Sequence, residues 1–483
     1  MLNYKLILLF LGVLLFIEGA FITICSLISA IYGENDFFAL TISALIVFFV
    51  GFLLYIFNRK TKKEVSKREA YLIVTGGWLI LSLFGALPFY ISRYIPSYTN
   101  AFFETISGFT TTGASILNNI EALPRGLLLW RSTTQWIGGM GIIVFSIAIV
   151  SFIKIGGMQL FNAEVPGVEK DKLHPKIRQT AKKLWMVYFF LTLAETFLLV
   201  FGGMSVFDAV NHSLTTMATG GFSTKQASIA YWNSPYIHYV ITVFMILAGT
   251  NFSLTYYAFT GKLKKVFNNT EFKFYLLVIF VATVIIAVGQ FVFMHRPAEF
   301  SFRSAIFQVV SIITTTGYAT DDYLLWVPKG LWVIILLLMF FGGCSGSTSG
   351  SIKIVRIHIL LRNSYTEFKR VLLPHAVVPV KYNKHVISNN IINNILAFVI
   401  LYMMIFAIGT VFLSFSGLDF ESALGAVATC LGNIGPGIGS VGPSSNFYHI
   451  TDAGKWFLSA LMLIGRLELF TVLILFTKAF WRY

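Results

Sequence analysis

Long apolar runs separated by short polar loops set the rhythm of this chain. The runs cover 5–31, 38–57, 70–92, 126–153, 184–203, 236–261, 272–294, 329–366, 386–414 and 453–479. Each, wound as a helix rising 1.5 Å per residue, crosses a hydrocarbon layer of about 30 Å. The pattern therefore predicts ten crossings, the eighth interrupted by the polar string GGCSGSTSGS from Gly342 to Ser351. The first run holds Glu18 and is longer than a signal-peptide core, so it is expected to be a retained helix.

Composition agrees with this reading. The chain is 56% hydrophobic and 12% charged, about half the charged fraction of an average soluble domain. Its net charge of +15 would suggest a nucleic-acid partner in a soluble protein. Here the positive residues sit in short loops between apolar runs, and no nucleic-acid motif accompanies them. On one face, loops 58–69, 154–183, 262–273 and 353–384, with Lys5, Lys478 and Arg482, carry 27 Lys and Arg; the other face carries 8. The positive-inside rule then puts both termini in the cytoplasm. The cysteines Cys25, Cys344 and Cys430 are far apart and have no metal or disulfide spacing.

Between crossings, on the less basic face, lie segments too short to span. Aligned on a terminal glycine they form four blocks of 14 residues without gaps: NAFFETISGFTTTG (Asn100 to Gly113), DAVNHSLTTMATGG (Asp208 to Gly221), SAIFQVVSIITTTG (Ser304 to Gly317) and SALGAVATCLGNIG (Ser422 to Gly435). Position 1 is a helix-capping type, position 2 is Ala, position 8 is a hydroxyl residue, and position 14 is Gly. Position 12 is Thr111, Thr219, Thr315 or Asn433. The expected caps are Asn100, Asp208, Ser304 and Ser422.

Each block reads as a half-helix of about ten residues, some 15 Å long, followed by a glycine turn. Non-helical backbone is tolerated at membrane depth only where protein or an aqueous cavity surrounds it. Four copies entering from one face suggest four turns around one axis. There carbonyl oxygens replace a cation's water, and helix C-terminal ends favour positive charge. The competing reading takes these Gly, Ser and Thr residues as helix-packing residues, although packing requires no shared register.

These strings, together with TTTGAS (Thr110 to Ser115), ATGGFST (Ala218 to Thr224), TTTGYATD (Thr314 to Asp321), GNIGPG (Gly432 to Gly437), FFGGCSGSTSGSIK (Phe340 to Lys353) and IGRLELF (Ile464 to Phe470), resemble the Trk/Ktr/HKT superfamily of potassium transporters, in its TrkH/TrkG type. The resemblance implies an all-α polytopic membrane protein with two extra N-terminal helices (1–66). Four M1–P–M2 pore repeats would follow around a pseudo-fourfold axis, at 67–165, 166–265, 266–380 and 381–483. It implies a potassium-binding filter at Thr111, Thr112 and Gly113; Thr219, Gly220 and Gly221; Thr315, Thr316 and Gly317; and Asn433, Ile434 and Gly435. Glycine at 113 goes with selectivity for potassium over sodium, and the divergent fourth turn with imperfect symmetry. The resemblance further implies a homodimer of separate pores in the inner membrane. A cytosolic RCK-type regulatory subunit would bind the nucleotide, NAD or ATP/ADP, with no cofactor in this chain beyond potassium as substrate. The string GIGSVG at Gly437, Gly439 and Gly442 follows a turn rather than a strand and is not read as a dinucleotide site.

The interrupted run is expected to form a gate from Gly342, Gly343, Cys344, Ser345, Gly346, Ser347, Thr348, Ser349 and Gly350, with Arg466. Such backbone must line or be enclosed by the pore; a packing kink is the alternative. Arg466, within the last apolar run, needs interior partners. The loop carbonyls are candidates, the use the family makes of a matching arginine, and an ion pair with Glu468 is the alternative. Asp321 and Asp322 either draw cations to the mouth or belong to a solvated loop. Glu104 either braces the filter or is a buried structural carboxyl, and Glu18 and Glu195 are intramembrane acids without assigned partners. The eight histidines show no ligand spacing, and no nucleophile–base pair appears, so an enzyme is not expected. A gated channel-like pore is the principal expectation and an ion-coupled symporter using protons or sodium the alternative.

Overall fold

The computed structural model describes residues 2–61, 65–139, 141, 177–373, 375, 378–383 and 385–482. The far end of the 126–153 run and most of the basic loop 154–183 lie outside them. The structure is almost wholly helical: α1 (Tyr4–Tyr32), α2 (Phe37–Asn58), α3 (Lys67–Gly85), α4 (Leu87–Ile91), α5 (Tyr98–Phe109), α6 (Arg125–Gly139), α7 (Ile177–Phe201), α8 (Val206–Met217), α9 (Pro235–Ala248), α10 (Phe252–Phe259), α11 (Leu263–Phe267), α12 (Thr270–Met294), α13 (Ala298–Ile313), α14 (Gly330–Leu338), α15 (Ile354–Leu372), α16 (Asn389–Phe415), α17 (Phe420–Gly432), α18 (Asp452–Arg466), α19 (Phe470–Leu473) and α20 (Lys478–Arg482). One small hairpin pairs β1 (Lys381–Tyr382) antiparallel with β2 (His385–Val386).

The start signals are local. Asn3 accepts from the Leu6 amide at the head of α1, and Gly33 ends that helix in the left-handed region at φ 67°. Ser66 and Glu69 form a reciprocal capping box on α3. Helices α1 and α2 cross where Gly12 meets Gly51; a Cβ on Gly12 would lie 2.9 Å from the Gly51 carbonyl oxygen. Small residues at that crossing allow the close approach that drives helix association in lipid. Phe38, Phe49, Phe280, Phe293 and Phe415 are exposed on α2, α12 and α16, as lipid-facing positions should be.

Among the described residues six helices are long and apolar enough to cross a membrane: α1, α2, the α3–α4 pair, Ala181–Phe201 within α7, α12 and α16. Two expected straight spans are instead bent, α9 to α10 by 109° and α18 to 470–476 by 111°. The remaining two expected crossings correspond to the run that holds α6, whose far end lies outside the described residues, and to the broken α14–loop–α15 unit. The chain is thus a multi-pass membrane protein. Both termini lie together, because the Asn3 amide donates to Glu69 Oε1 at 2.8 Å and Arg68 donates to the Phe480 carbonyl oxygen. They share this face with the basic loop before α3, as the charge partition requires.

Candidate pore and its closing loop

Each of the four blocks is a short helix followed by a turn, but the caps lie further out than expected. Ser97, Ser205 and Asp419 accept from the amides of Asn100, Asp208 and Ser422, so position 1 of those blocks is the third helical residue. In the third block α13 starts after Pro297, and Ser304 lies well inside the helix. A capping side chain reaches the amide three residues ahead, so in the first, second and fourth blocks the cap lies three residues upstream. Exposed Asp419 gains from this bond: the Ser422 hydroxyl and amide hold its carboxylate below the usual range.

The turns repeat one backbone geometry. Position 12 is left-handed in all four, with φ 53° at Thr111 and Thr219, 56° at Thr315 and 55° at Asn433. Position 14 also has positive φ: 82° at Gly113, 73° at Gly221, 81° at Gly317 and 105° at Gly435. The position 13 amide always returns to the position 8 carbonyl. Thr112 reaches Ser107 at 2.8 Å, Gly220 reaches Thr215 at 2.9 Å, Thr316 reaches Ser311 at 2.8 Å, and Ile434 reaches Thr429 at 3.0 Å. Non-glycine residues enter the left-handed region at a cost of roughly 1–2 kcal/mol, so four such turns indicate a constraint from their surroundings.

That constraint is mutual. A Cβ on Gly113 would overlap the Gly220 carbonyl oxygen, one on Gly221 the Thr316 oxygen, and one on Gly317 the Ile434 oxygen. On Gly435 it would come 2.9 Å from the Thr112 oxygen. Every position 14 therefore leans on position 13 of the next block, and the fourth leans on the first. The four glycine turns form one closed ring of buried or half-buried residues.

Buried polar side chains brace the ring. Glu104 on α5 accepts from Arg131 Nε at 2.6 Å, from the Ser115 hydroxyl at 2.9 Å and from the Ile116 amide at 2.9 Å. Arg131 continues to the Ser223 carbonyl at 2.8 Å and stacks 3.6 Å from the Phe222 ring centre. Gln135, one turn further along α6, donates Nε2 to the Gly220 carbonyl at 2.6 Å and accepts from the Phe222 amide at 3.0 Å. Glu104 is thus a brace. Arg131, expected only as an outer-face charge, is buried beside it, and Gln135 was not anticipated. A polar cluster on the buried face of the 126–153 run was the available signal.

Beneath the ring lies the loop Gly342–Ser351. Its two ends meet, the Gly342 amide donating to the Ile352 carbonyl at 2.6 Å. Its middle reaches three blocks. The Gly350 amide donates to Thr315 Oγ1 at 2.7 Å, and the Thr348 hydroxyl donates to the Met217 carbonyl at 3.1 Å. A Cβ on Gly350 would overlap the Gly432 oxygen. Gly343 and Cys344 pack on Gly249, whose carbonyl accepts from the Cys344 amide at 2.8 Å. Ser349 accepts from the Gly343 amide at 3.0 Å, and its hydroxyl is hydrogen-bonded with that of Ser347 at 2.7 Å. Gly346 is exposed, and Ser345 and Ser347 are half-buried.

Arg466 joins this loop to the end of α6. It donates to the Thr348 carbonyl at 2.6 Å and to the Gly138 and Gly139 carbonyls at 2.6 and 3.1 Å. Backbone carbonyls are therefore its partners, while Glu468 pairs with Arg356. Arg466 ends α18 rather than sitting mid-span, because Glu468 and Leu469 both turn to positive φ. A further break lies at Gly249–Asn251, where Asn251 caps α10. Gly138 and Gly465 each crowd a carbonyl of their own block helix, Phe109 and Leu431. These breaks went unread in the sequence.

Asp321 pairs with Arg296 and accepts from Ser304 at 3.2 Å and Trp326 Nε1 at 2.8 Å; Asp322 accepts from Ser444 at 2.8 Å. Glu18 is buried against Gly85, where a Cβ would meet its Oε1 at 2.8 Å, and Glu195 is buried on α7. Gly439–Val441 is a single helical turn in the loop after the fourth glycine turn, far from any strand. Among the described residues no group of three or more His, Cys, Asp or Glu side chains is placed to hold a metal ion.

Comparison with known proteins matches this arrangement. Residues 37–483 fit the TrkH family, described as a cation transport protein. The chain is 40% identical to the Trk system potassium uptake protein TrkH of Escherichia coli K12 over 475 residues, covering 98% of each. It is 37% identical to TrkH of Halomonas elongata over 483 residues, 99% of this chain and 100% of that one. It is 33% identical to TrkG of Escherichia coli K12, covering 94% of each. The crystal structure of the potassium transporter TrkH from Vibrio parahaemolyticus superposes with a TM-score of 0.89 at 34% identity, covering all of both chains. Helices, glycine turns and sequence agree that this chain belongs to the TrkH family of cation transport proteins, a family of transporters rather than enzymes.

Proposed function

We propose that this chain takes up potassium through a gated, channel-like pore on the axis of the four glycine turns. The observation that carries this reading is the closed ring, in which each position 14 glycine rests on the next block's position 13. Left-handed backbone at positions 12 and 14 supports a filter of carbonyl and hydroxyl oxygens that replaces the ion's water. The ligands are then Thr111 to Gly113, Thr219 to Gly221, Thr315 to Gly317 and Asn433 to Gly435. The four block helices end at the ring, and their C-terminal dipoles favour a cation.

The loop Gly342–Gly350 is the gate in this reading, and Arg466 is its latch. A guanidinium held by three carbonyls below a cation filter blocks passage by charge as well as by bulk. The repeats run 67–165, 166–265, 266–380 and 381–483 after two accessory helices. The protein works as a homodimer in the inner membrane with cytoplasmic termini. A separate RCK-type subunit carries the nucleotide and docks on the basic face.

The test is potassium flux into liposomes holding the purified protein, with and without the cytosolic subunit. Conduction predicts a current reversing at the potassium equilibrium potential whatever the proton gradient; coupling to protons or sodium shifts that reversal. Gly113→Ser should lose or alter ion selectivity, and unchanged selectivity would refute the filter.

A further inference from the structure

We propose that Glu271 is a positioning residue that ties the intramembrane loop to the short hairpin at the basic face, so that movement of the hairpin is transmitted to the loop. The inference rests on the gate reading above and adds the second anchor of the loop and its input.

Glu271 lies in the first turn of α12, is buried, and serves two elements at once. Its Oε1 accepts from the Ser345 amide at 2.6 Å, and its Oε2 accepts from the Tyr382 hydroxyl at 3.4 Å. Beside it the Thr270 amide donates to Asn383 Oδ1 at 2.9 Å, so the head of α12 is clipped to the hairpin twice. Ser345 follows Cys344, which hangs on Gly249, and precedes Thr348, which Arg466 holds. The loop is therefore secured from one side by a guanidinium on carbonyls and from the other by a carboxylate on an amide.

The hairpin is not loosely attached. Val380, Tyr382 and Ile387 pack in one apolar cluster with Val355 and Ile359 of α15 and Ile392 and Ile395 of α16. Helix α15 is the continuation of the loop itself, and Arg362 on it donates to the Lys381 carbonyl at 2.9 Å. A displacement of α15 and the hairpin away from α12 moves Tyr382 off Glu271 and Asn383 off the Thr270 amide. The carboxylate then loses a partner that helps to orient it towards Ser345. Buried hydrogen bonds to a charged acceptor are among the stronger ones, so loss of this one releases the loop by a measurable factor.

Cys344 provides the readout, since it is fully buried next to Ser345. In a Cys25→Ser, Cys430→Ser parent, proteoliposomes are treated with a membrane-impermeant thiol reagent, and potassium flux is recorded in parallel. Glu271→Ala should raise both Cys344 labelling and flux by about tenfold. Glu271→Gln, which keeps the acceptor oxygen without the charge, should return both to within about twofold of the parent. Tyr382→Phe removes one hydroxyl without disturbing packing and should give a smaller rise in both. If Arg466→Ala raises labelling and flux while Glu271→Ala and Tyr382→Phe leave them at parental values, the positioning role is overturned and the gate stands. If none of these substitutions changes either readout, the gate reading falls and this inference with it.

Discussion

Turns one and three of the ring differ from turns two and four in how they are held. In the first and third, positions 11 and 13 are both threonine, and their hydroxyls bond each other across the turn: Thr110 with Thr112, and Thr314 with Thr316, each at 2.8 Å. The second and fourth have Ala218 with Gly220 and Gly432 with Ile434, which cannot do this. Gln135 instead grips turn two at the Gly220 carbonyl and the Phe222 amide. Asn433 of turn four reaches out to Thr112 Oγ1 and the Met462 carbonyl, each at 2.9 Å. Similar backbone is thus reached by two routes, internal pairing and an outside strut. The difference teaches that a single-chain ring keeps fourfold shape without fourfold chemistry.

The largest expected effect lies where the route of bracing does not matter. Gly317→Ser puts a side chain on the Ile434 oxygen at φ 81°, so potassium uptake by transport-deficient cells should be abolished. Gly435→Ser, with its nearest neighbour at 2.9 Å, should retain some uptake. Equal loss at both positions would mean that the ring's unequal clearances have no functional weight.

Removing a strut comes next. Gln135→Ala strands a buried carbonyl and a buried amide and should cost about 3 kcal/mol. Thermal unfolding in detergent should show the loss, and selectivity against sodium should fall because turn two is no longer fixed. Asn433→Ala should cost somewhat less, about 2 kcal/mol, since Thr112 keeps its bond to Thr110. Thr316→Val removes only an internal pair, costs about 1 kcal/mol and should leave selectivity intact. A Thr316→Val variant that selects ions worse than Gln135→Ala would reverse the comparison.

The smallest effect is at the cap of the fourth helix. The folded Asp419 carboxylate is held below its ordinary range by Ser422. Its contribution is therefore complete above the pKa of an unstructured aspartate and is lost as pH falls through the lower folded value. Asp419→Ala should remove that acid-side dependence from the unfolding midpoint, and because the site is exposed the change should be slight.

Much of this was legible from the chain alone. Hydropathy located the spans, and the gapless blocks located the turns, because position 12 and position 14 carry backbone demands that few residues meet. Three caps were misplaced by three residues: Asn100, Asp208 and Ser422 are capping types that in fact receive a cap rather than supply one, and Ser304 lies inside its helix. The bends after Ala248 and Arg466 were invisible, since hydropathy averages along a helix and does not register direction. Gln135 and Arg131 were missed for a different reason. Their partners at Gly220 and Ser223 lie 85 and 92 residues away, and no local pattern reports such a bond. Arg466 was found because a charge in an apolar run requires an explanation, although its acceptors on Gly138 and Gly139 were not foreseeable.

The seam between Gly435 and Thr112 joins the last block to the first across more than three hundred residues. During synthesis, three turns enter the bilayer before their fourth neighbour exists, each following one already shaped by its own helix. Until the final block arrives, Thr112 faces a gap where Gly435 belongs. The ring therefore cannot close until the last block of the chain has been made.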